Sequence, residues 1–174
     1  MKNEKLAARL SQEVLDFIET RKTLQLASLT EEGAPFASYA PFAIGENCLY
    51  VLLSDLAMHA VNLKANPKAS VLIVEDEDSA DELFARVRVN YSVEADFIAH
   101  STAAWRLGVS VLEARHGERI GHLSKMSDFK LFKLNPTSGR FVKGFAKAYS
   151  LAGNSLAGEE VSHMTDGHKK RSVA

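Results

Sequence analysis

The spacing of apolar residues changes after Lys22, and that change constrains the fold more than any other feature. Leu6, Leu10, Val14, Phe17 and Ile18 recur at helical intervals with charges between them, which predicts an amphipathic helix over roughly the first twenty residues. From Thr23 the chain alternates instead: Leu24-Gln25-Leu26-Ala27-Ser28-Leu29 is the two-residue period of a half-buried strand. Glu31-Glu32-Gly33 supplies a turn of hairpin length, residues 35–42 a second strand, Gly45-Glu46-Asn47 another turn and residues 48–53 a third strand. Consecutive strands joined by such short turns pair antiparallel, because parallel pairing needs a crossover of a dozen residues or more.

The same signals extend along the chain. Residues 55–66 read as a helix with Ser54 or Asp55 as N-cap and Asn66-Pro67 as its stop. Residues 70–74 form a fully apolar strand, and the acidic run from Glu75 to Glu82 is a solvated loop. Residues 84–97 predict a long strand, Ser101 caps a helix to about His116, and a polar linker leads to a strand at 129–134. Asn135-Pro136-Thr137-Ser138-Gly139 has turn composition, and residues 140–149 make the last strand. From Gly153 the chain is small, polar and charged, which predicts a flexible tail, so residues 1–152 are expected to be one domain and 153–174 its appendage. About six or seven antiparallel strands with a few outer helices make the expected class mainly β, a closed or split antiparallel barrel.

Composition excludes several functions. The net charge of −1 gives no electrostatic case for nucleic acid or an anionic membrane. One cysteine, Cys48, allows neither an internal disulfide nor a thiolate zinc cluster. No apolar run reaches the ~18 residues of a membrane span, and no secretory signal follows Met1, so a cytoplasmic protein is expected. Phosphate loops, Walker lysines, H-E-x-x-H pairs and nucleophile elbows are missing from the sequence. The six histidines are scattered, and a terminal one such as His168 is more often solvated than a ligand. Trp105 suits either a core or a subunit contact. Arg86 and Arg88 lie within one strand, where an arginine needs solvent, a carboxylate or an anionic ligand; the acidic loop and a ligand are equally good partners on this ground.

Several segments together carry a resemblance. Arg21-Lys22-Thr23-Leu24-Gln25-Leu26-Ala27, Ser38-Tyr39-Ala40-Pro41-Phe42 and His59-Ala60-Val61-Asn62-Leu63 before Asn66-Pro67 resemble the pyridoxamine-phosphate-oxidase-like split barrel. Leu83-Phe84-Ala85-Arg86-Val87-Arg88, Ser127-Asp128-Phe129, Phe141-Val142-Lys143-Gly144-Phe145 and Gly167-His168-Lys169-Lys170 are similar to its haem-utilisation branch, the HutZ/HugZ family of haem-degrading proteins. The resemblance implies a homodimer of split barrels with haem near the subunit interface. It assigns the iron ligand to His168 and the carboxylate on that histidine's other nitrogen to Asp128, an arrangement that fixes the tautomer and raises ligand basicity. Arg88 matches a haem-pocket arginine available to a propionate or to the oxygen side of the iron, and Thr23 a residue near the interface.

The resemblance further implies oxidative haem cleavage to a biliverdin-type product with release of iron, using O2 and an external electron donor or reductase. A storage or trafficking protein with the same site, and an FMN-dependent oxidoreductase, are the alternatives. Flavin-binding members carry Lys or Arg on the helix after the third strand, against the FMN phosphate. Here that place holds His59, mostly neutral at pH 7, which makes FMN the weaker cofactor expectation.

Overall fold

The computed structural model describes residues 2–164. Helix α1 (Lys2–Glu19) precedes strands β1 (Thr23–Leu29), β2 (Pro35–Pro41), β3 (Ala43–Gly45) and β4 (Cys48–Ser54). Helix α2 (Met58–Ala65) leads to β5 (Lys68–Val74) and β6 (Arg88–Ile98); α3 (Ala103–His116) and α4 (Glu118–Leu123) follow, then β7 (Phe129–Val142), β8 (Ala148–Ala152) and β9 (Glu160–His163). The described strands form one antiparallel sheet in the order β2-β1-β5-β6-β7-β4-β3, with β8 on β7 and β9 on β8. This is a mainly β, antiparallel split barrel with flanking helices, as the period change predicts.

The long strand β7 organises the sheet. One edge pairs with β6 over 131–142; the other pairs with β4 over 129–134 and with β8 over 138–142. The predicted turn at 135–139 is therefore a correction: those residues stay in the strand. Pro136 sits at a register shift opposite Ser92/Val93, a bulge of the kind that tolerates a residue with no backbone N–H. Gly139 lies against the Tyr91 ring, which a Cβ would approach to 2.9 Å. Local turn composition loses here to pairing along both edges.

Two apolar clusters hold the fold. The barrel interior is filled by Val14 and Ile18 of α1 and by alternate residues of the sheet, Leu24, Leu26, Val71, Ile73, Val89, Tyr91 and Phe132 among them. Outside β4, the helices α3 and α4 bury Trp105, Leu112 and Ile120 against Tyr50, Leu52 and Leu131. Trp105 is thus a core residue of this subunit. All but the last residue of β4 are buried because both its faces are covered.

Arg115 of α3 closes the end of α1. Its guanidinium donates to the carbonyls of Glu19 at 2.8 Å and of Arg21, pairs with the Glu19 carboxylate at 2.9 Å and lies 5.3 Å from the Phe42 ring centroid. It thereby satisfies acceptors that a helix C-terminus leaves open.

Three more expectations are corrected. The strand expected from 84 begins at Arg88, and Leu83–Ala85 is a 3-10 turn capped by the Glu82 side chain. The N-cap of α3 is Thr102, whose Oγ1 accepts from Trp105 N at 3.1 Å, while Ser101 takes a left-handed φ of 65°. Residues 153–164 are not a loose tail: β9 pairs with β8, and Leu156 is buried with its carbonyl accepting the Tyr91 hydroxyl at 2.6 Å. The small residues that suggested a tail build a tight hairpin there, with Gly153 and Gly158 at φ of 90° and 78°.

Candidate functional site

The sheet register puts three of the features singled out above on one edge of the molecule. Gln25 faces Leu72, so Thr23 at the start of β1 stands level with Val74 at the end of β5. Val74 pairs with Arg88, Arg88 with Val142 and Val142 with Ala148, whose carbonyl accepts from the amide of Met164. Thr23, Arg88 and the point from which the chain continues toward His168 therefore share one row across the sheet. His168 itself lies outside the described residues. Four residue steps lead to it from Met164, a reach of at most about 14 Å.

The two arginines have different partners. Arg86 donates to the Glu75 carbonyl and lies 3.6 Å from the Glu77 carboxylate, so the acidic loop accounts for it. Arg88 is half-buried, gives one Nη1 hydrogen bond to the Arg86 carbonyl at 2.9 Å, and has no carboxylate partner among the described residues. Its remaining donors are available to an anion, and a guanidinium suits a carboxylate in particular. Thr23 is exposed beside this edge.

Asp128 is elsewhere. It immediately precedes β7, whose start pairs with the end of β6, whereas Arg88 pairs with the end of β7. The ten residue steps of β6 from Arg88 to Ile98 make a path of roughly 33 Å along the strand. Within one subunit the fold thus holds Arg88 and Asp128 at opposite ends of the β6–β7 ladder. Asp128 is half-buried and fixed twice: its Oδ2 accepts from Ser54 Oγ at 2.7 Å, and its carbonyl accepts from Asp55 N at 2.7 Å. The Ser54–Asp128 contact is one that the sequence did not reveal, because the partners lie 74 residues apart and no local pattern links them.

The place where a flavin phosphate would need a cation is neutral. His59 is half-buried, burial pulls its pKa below the usual imidazole range, and its Nδ1 is 3.0 Å from Ser38 Oγ. The nearby cations are committed: Lys64 pairs with Asp55 at 2.6 Å and Arg21 with Asp76 at 3.0 Å. These residues do not fit an FMN phosphate. Among the described residues no group of three or more metal-ligating side chains converges either, so a metal held by protein ligands alone has no seat there.

Comparison with known proteins gives this geometry a context. The family model for pyridoxamine 5'-phosphate oxidase matches residues 10–143. The chain is 41% identical over 170 residues, 98% of this chain and 96% of the other, to a protein of Vibrio cholerae named heme oxygenase HutZ. A crystal structure described as HutZ, the heme storage protein from Vibrio cholerae, superposes with a TM-score of 0.73 at 41% identity, over 77% of this chain and 94% of that one. The structure of ChuZ from Campylobacter jejuni gives a TM-score of 0.84 at 30% identity, over 95% of this chain and 67% of that one.

Proposed function

The chain belongs to the pyridoxamine 5'-phosphate oxidase family, and from that premise we propose that it binds haem and degrades it oxidatively, giving a biliverdin-type tetrapyrrole and iron. The observation that carries this reading is the 41% identity, over nearly the full length of both chains, to a protein named heme oxygenase. The residues present fit a propionate-bearing macrocycle and not an FMN phosphate: Arg88 is a half-buried guanidinium without a carboxylate, while His59 is neutral.

Haem is the substrate, and when bound it supplies the iron at which O2 is activated by electrons from an external donor or reductase. Arg88 holds a propionate or the oxygen side of the iron. His168 is the proposed iron ligand. Asp128 accepts a hydrogen bond from the N–H of that histidine's other ring nitrogen, which fixes the tautomer, and Ser54 holds the carboxylate in orientation. The strand path between Arg88 and Asp128 supports a site shared by two subunits, in which one contributes Thr23, Arg88 and the segment carrying His168, and the other Asp128. The active species is accordingly a homodimer with two equivalent clefts. Among the described residues no helix is long and apolar enough to cross a membrane.

A storage protein without turnover is the second reading, favoured by the description of one HutZ structure as a heme storage protein. Haem, reductant and O2 added to the protein separate the two. The degradation reading expects the Soret band to decay to a bilin spectrum, and a stable Soret band under those conditions sinks it. His168→Ala is expected to lose the wild-type haem spectrum; an unchanged spectrum removes His168 as the ligand.

A further inference from the structure

On the far side of β7 from Ser54 a cavity of about 340 Å³ opens between the end of β6 and the loop leading from α4 into β7. Its walls are apolar: Phe97, Trp105, Met126 and Phe129. Phe97 and Met126 are half exposed there, whereas Trp105 is buried. The polar side chains that line it are Ser127 and the basic His100, Lys125 and Lys130, and no acidic side chain lines it.

Lys130 is already engaged, donating to the Ser127 carbonyl at 2.7 Å and lying 3.6 Å from the Asp55 carboxylate. His100 lies against Trp105, with ring centroids 4.8 Å apart and its Nδ1 2.7 Å from Ser101 Oγ. Lys125 forms no ion pair among the described residues. The Asp128 carboxylate is turned to Ser54 and does not neutralise it. An open apolar hollow with one uncommitted cation at its mouth selects a particular ligand chemistry, an apolar body ending in a carboxylate. A dication or a polar phosphate would find either repulsion or no use for the aromatic walls.

We propose that this cavity is a subsite for the carboxylate-bearing end of an apolar anion, with Lys125 receiving the carboxylate. The inference rests on the haem reading for its preferred source, a propionate-bearing edge of the tetrapyrrole, because Ser127 and Phe129 of the cavity wall flank Asp128. Each cleft then takes its cations from both subunits, Arg88 from one and Lys125 from the other. A separate small carboxylate shares the chemistry and is the other source.

The test titrates the full-length wild type and Lys125→Ala, Lys125→Glu and Lys125→Arg with two probes. Haem is followed at the Soret band, with haem dimethyl ester as the uncharged control. The second probe, 4-phenylbutyrate, is followed through Trp105 emission, which reports on this cavity because it is the only tryptophan in the chain. Lys125→Ala is expected to weaken the charged probe about three- to tenfold, Lys125→Glu more, and Lys125→Arg to restore it. Binding of the dimethyl ester is expected not to depend on residue 125. A Lys125 effect on haem assigns the subsite to the tetrapyrrole, and one confined to phenylbutyrate assigns it to a free carboxylate. Identical affinities of all four proteins for both probes overturn the subsite. If wild type takes up no haem, the proposed function fails by itself, and the phenylbutyrate titration still decides the cavity.

Discussion

A cleft shared between subunits predicts a complementation experiment with a numerical outcome. Arg88 and Asp128 stand at the two ends of a strand path of roughly 33 Å, and neither an arginine nor an aspartate side chain spans more than a fraction of that. Arg88→Ala and Asp128→Ala are each expected to be inactive as homodimers. When the two are mixed in equal amounts and allowed to exchange subunits, about half the dimers are mixed, and each mixed dimer pairs one wild-type Arg88 with one wild-type Asp128 in one of its two clefts. About a quarter of all clefts are then intact, so haem-degrading activity should return to about a quarter of the wild-type value. Neither residue lies in the core, so both variants should fold, which circular dichroism of each parent checks. Activity per subunit is read from Soret decay, before and after exchange. If both residues serve the same subunit's site, no combination restores a complete set. A mixture that stays inactive while mass spectrometry shows mixed dimers refutes the shared cleft.

Three further outcomes follow from the packing and the titrating groups. Tyr91→Phe leaves the buried Leu156 carbonyl without its donor; a cost of roughly 1–3 kcal/mol should lower Tm by about 2–12 °C, and an unchanged Tm argues against the hairpin being anchored there. Arg115→Met strips the C-terminus of α1 of its cap and should cost about 2–4 kcal/mol in chemical denaturation, more than removal of an exposed arginine. His59 has its pKa depressed by burial, so on acidification the unfolded chain takes up this proton first; stability present above about pH 6.5 is lost as pH falls below it. His59→Gln should flatten that part of the pH profile of Tm, and an identical slope in the variant shows that another group is responsible.

The architecture was legible because its signals are short-range. The shift from helical to alternating spacing at Thr23 and the hairpin turns at 31–33 and 45–47 correspond to α1, β1, β2 and β4 within a residue or two. Where the sequence misled, a non-local interaction had overruled a local preference. Asn135-Pro136-Thr137-Ser138-Gly139 has every mark of a turn, yet β6 on one side and β4 and β8 on the other keep it extended. Residues 153–164 have the composition of a tail, but Leu156 and a hydroxyl 65 residues away hold them down. The site was harder still. Arg86 and Arg88 are indistinguishable in sequence, and only the register of the acidic loop shows that one is paired and the other is not. Ser54 reads locally only as a helix cap, and Lys125 has no local signature. The contact of Ser54 with Asp128 arises where distant segments meet.

The distribution of charge shows how one barrel can exchange one class of ligand for another. At the start of α2 the chain has removed the cation that a phosphate requires: His59 is neutral beside Ser38, and Lys64 is tied to Asp55. Two cations without an ion-pair partner among the described residues stand instead at the two ends of the β6–β7 ladder, Arg88 at one and Lys125 at the other. In the proposed dimer those ends reach one ligand from different subunits, and the cleft offers two separated cations across apolar walls, which matches a flat molecule carrying two carboxylates better than one carrying a single dianionic phosphate. The separation of charge within the subunit and the proposed sharing of the cleft then follow from the same strand register.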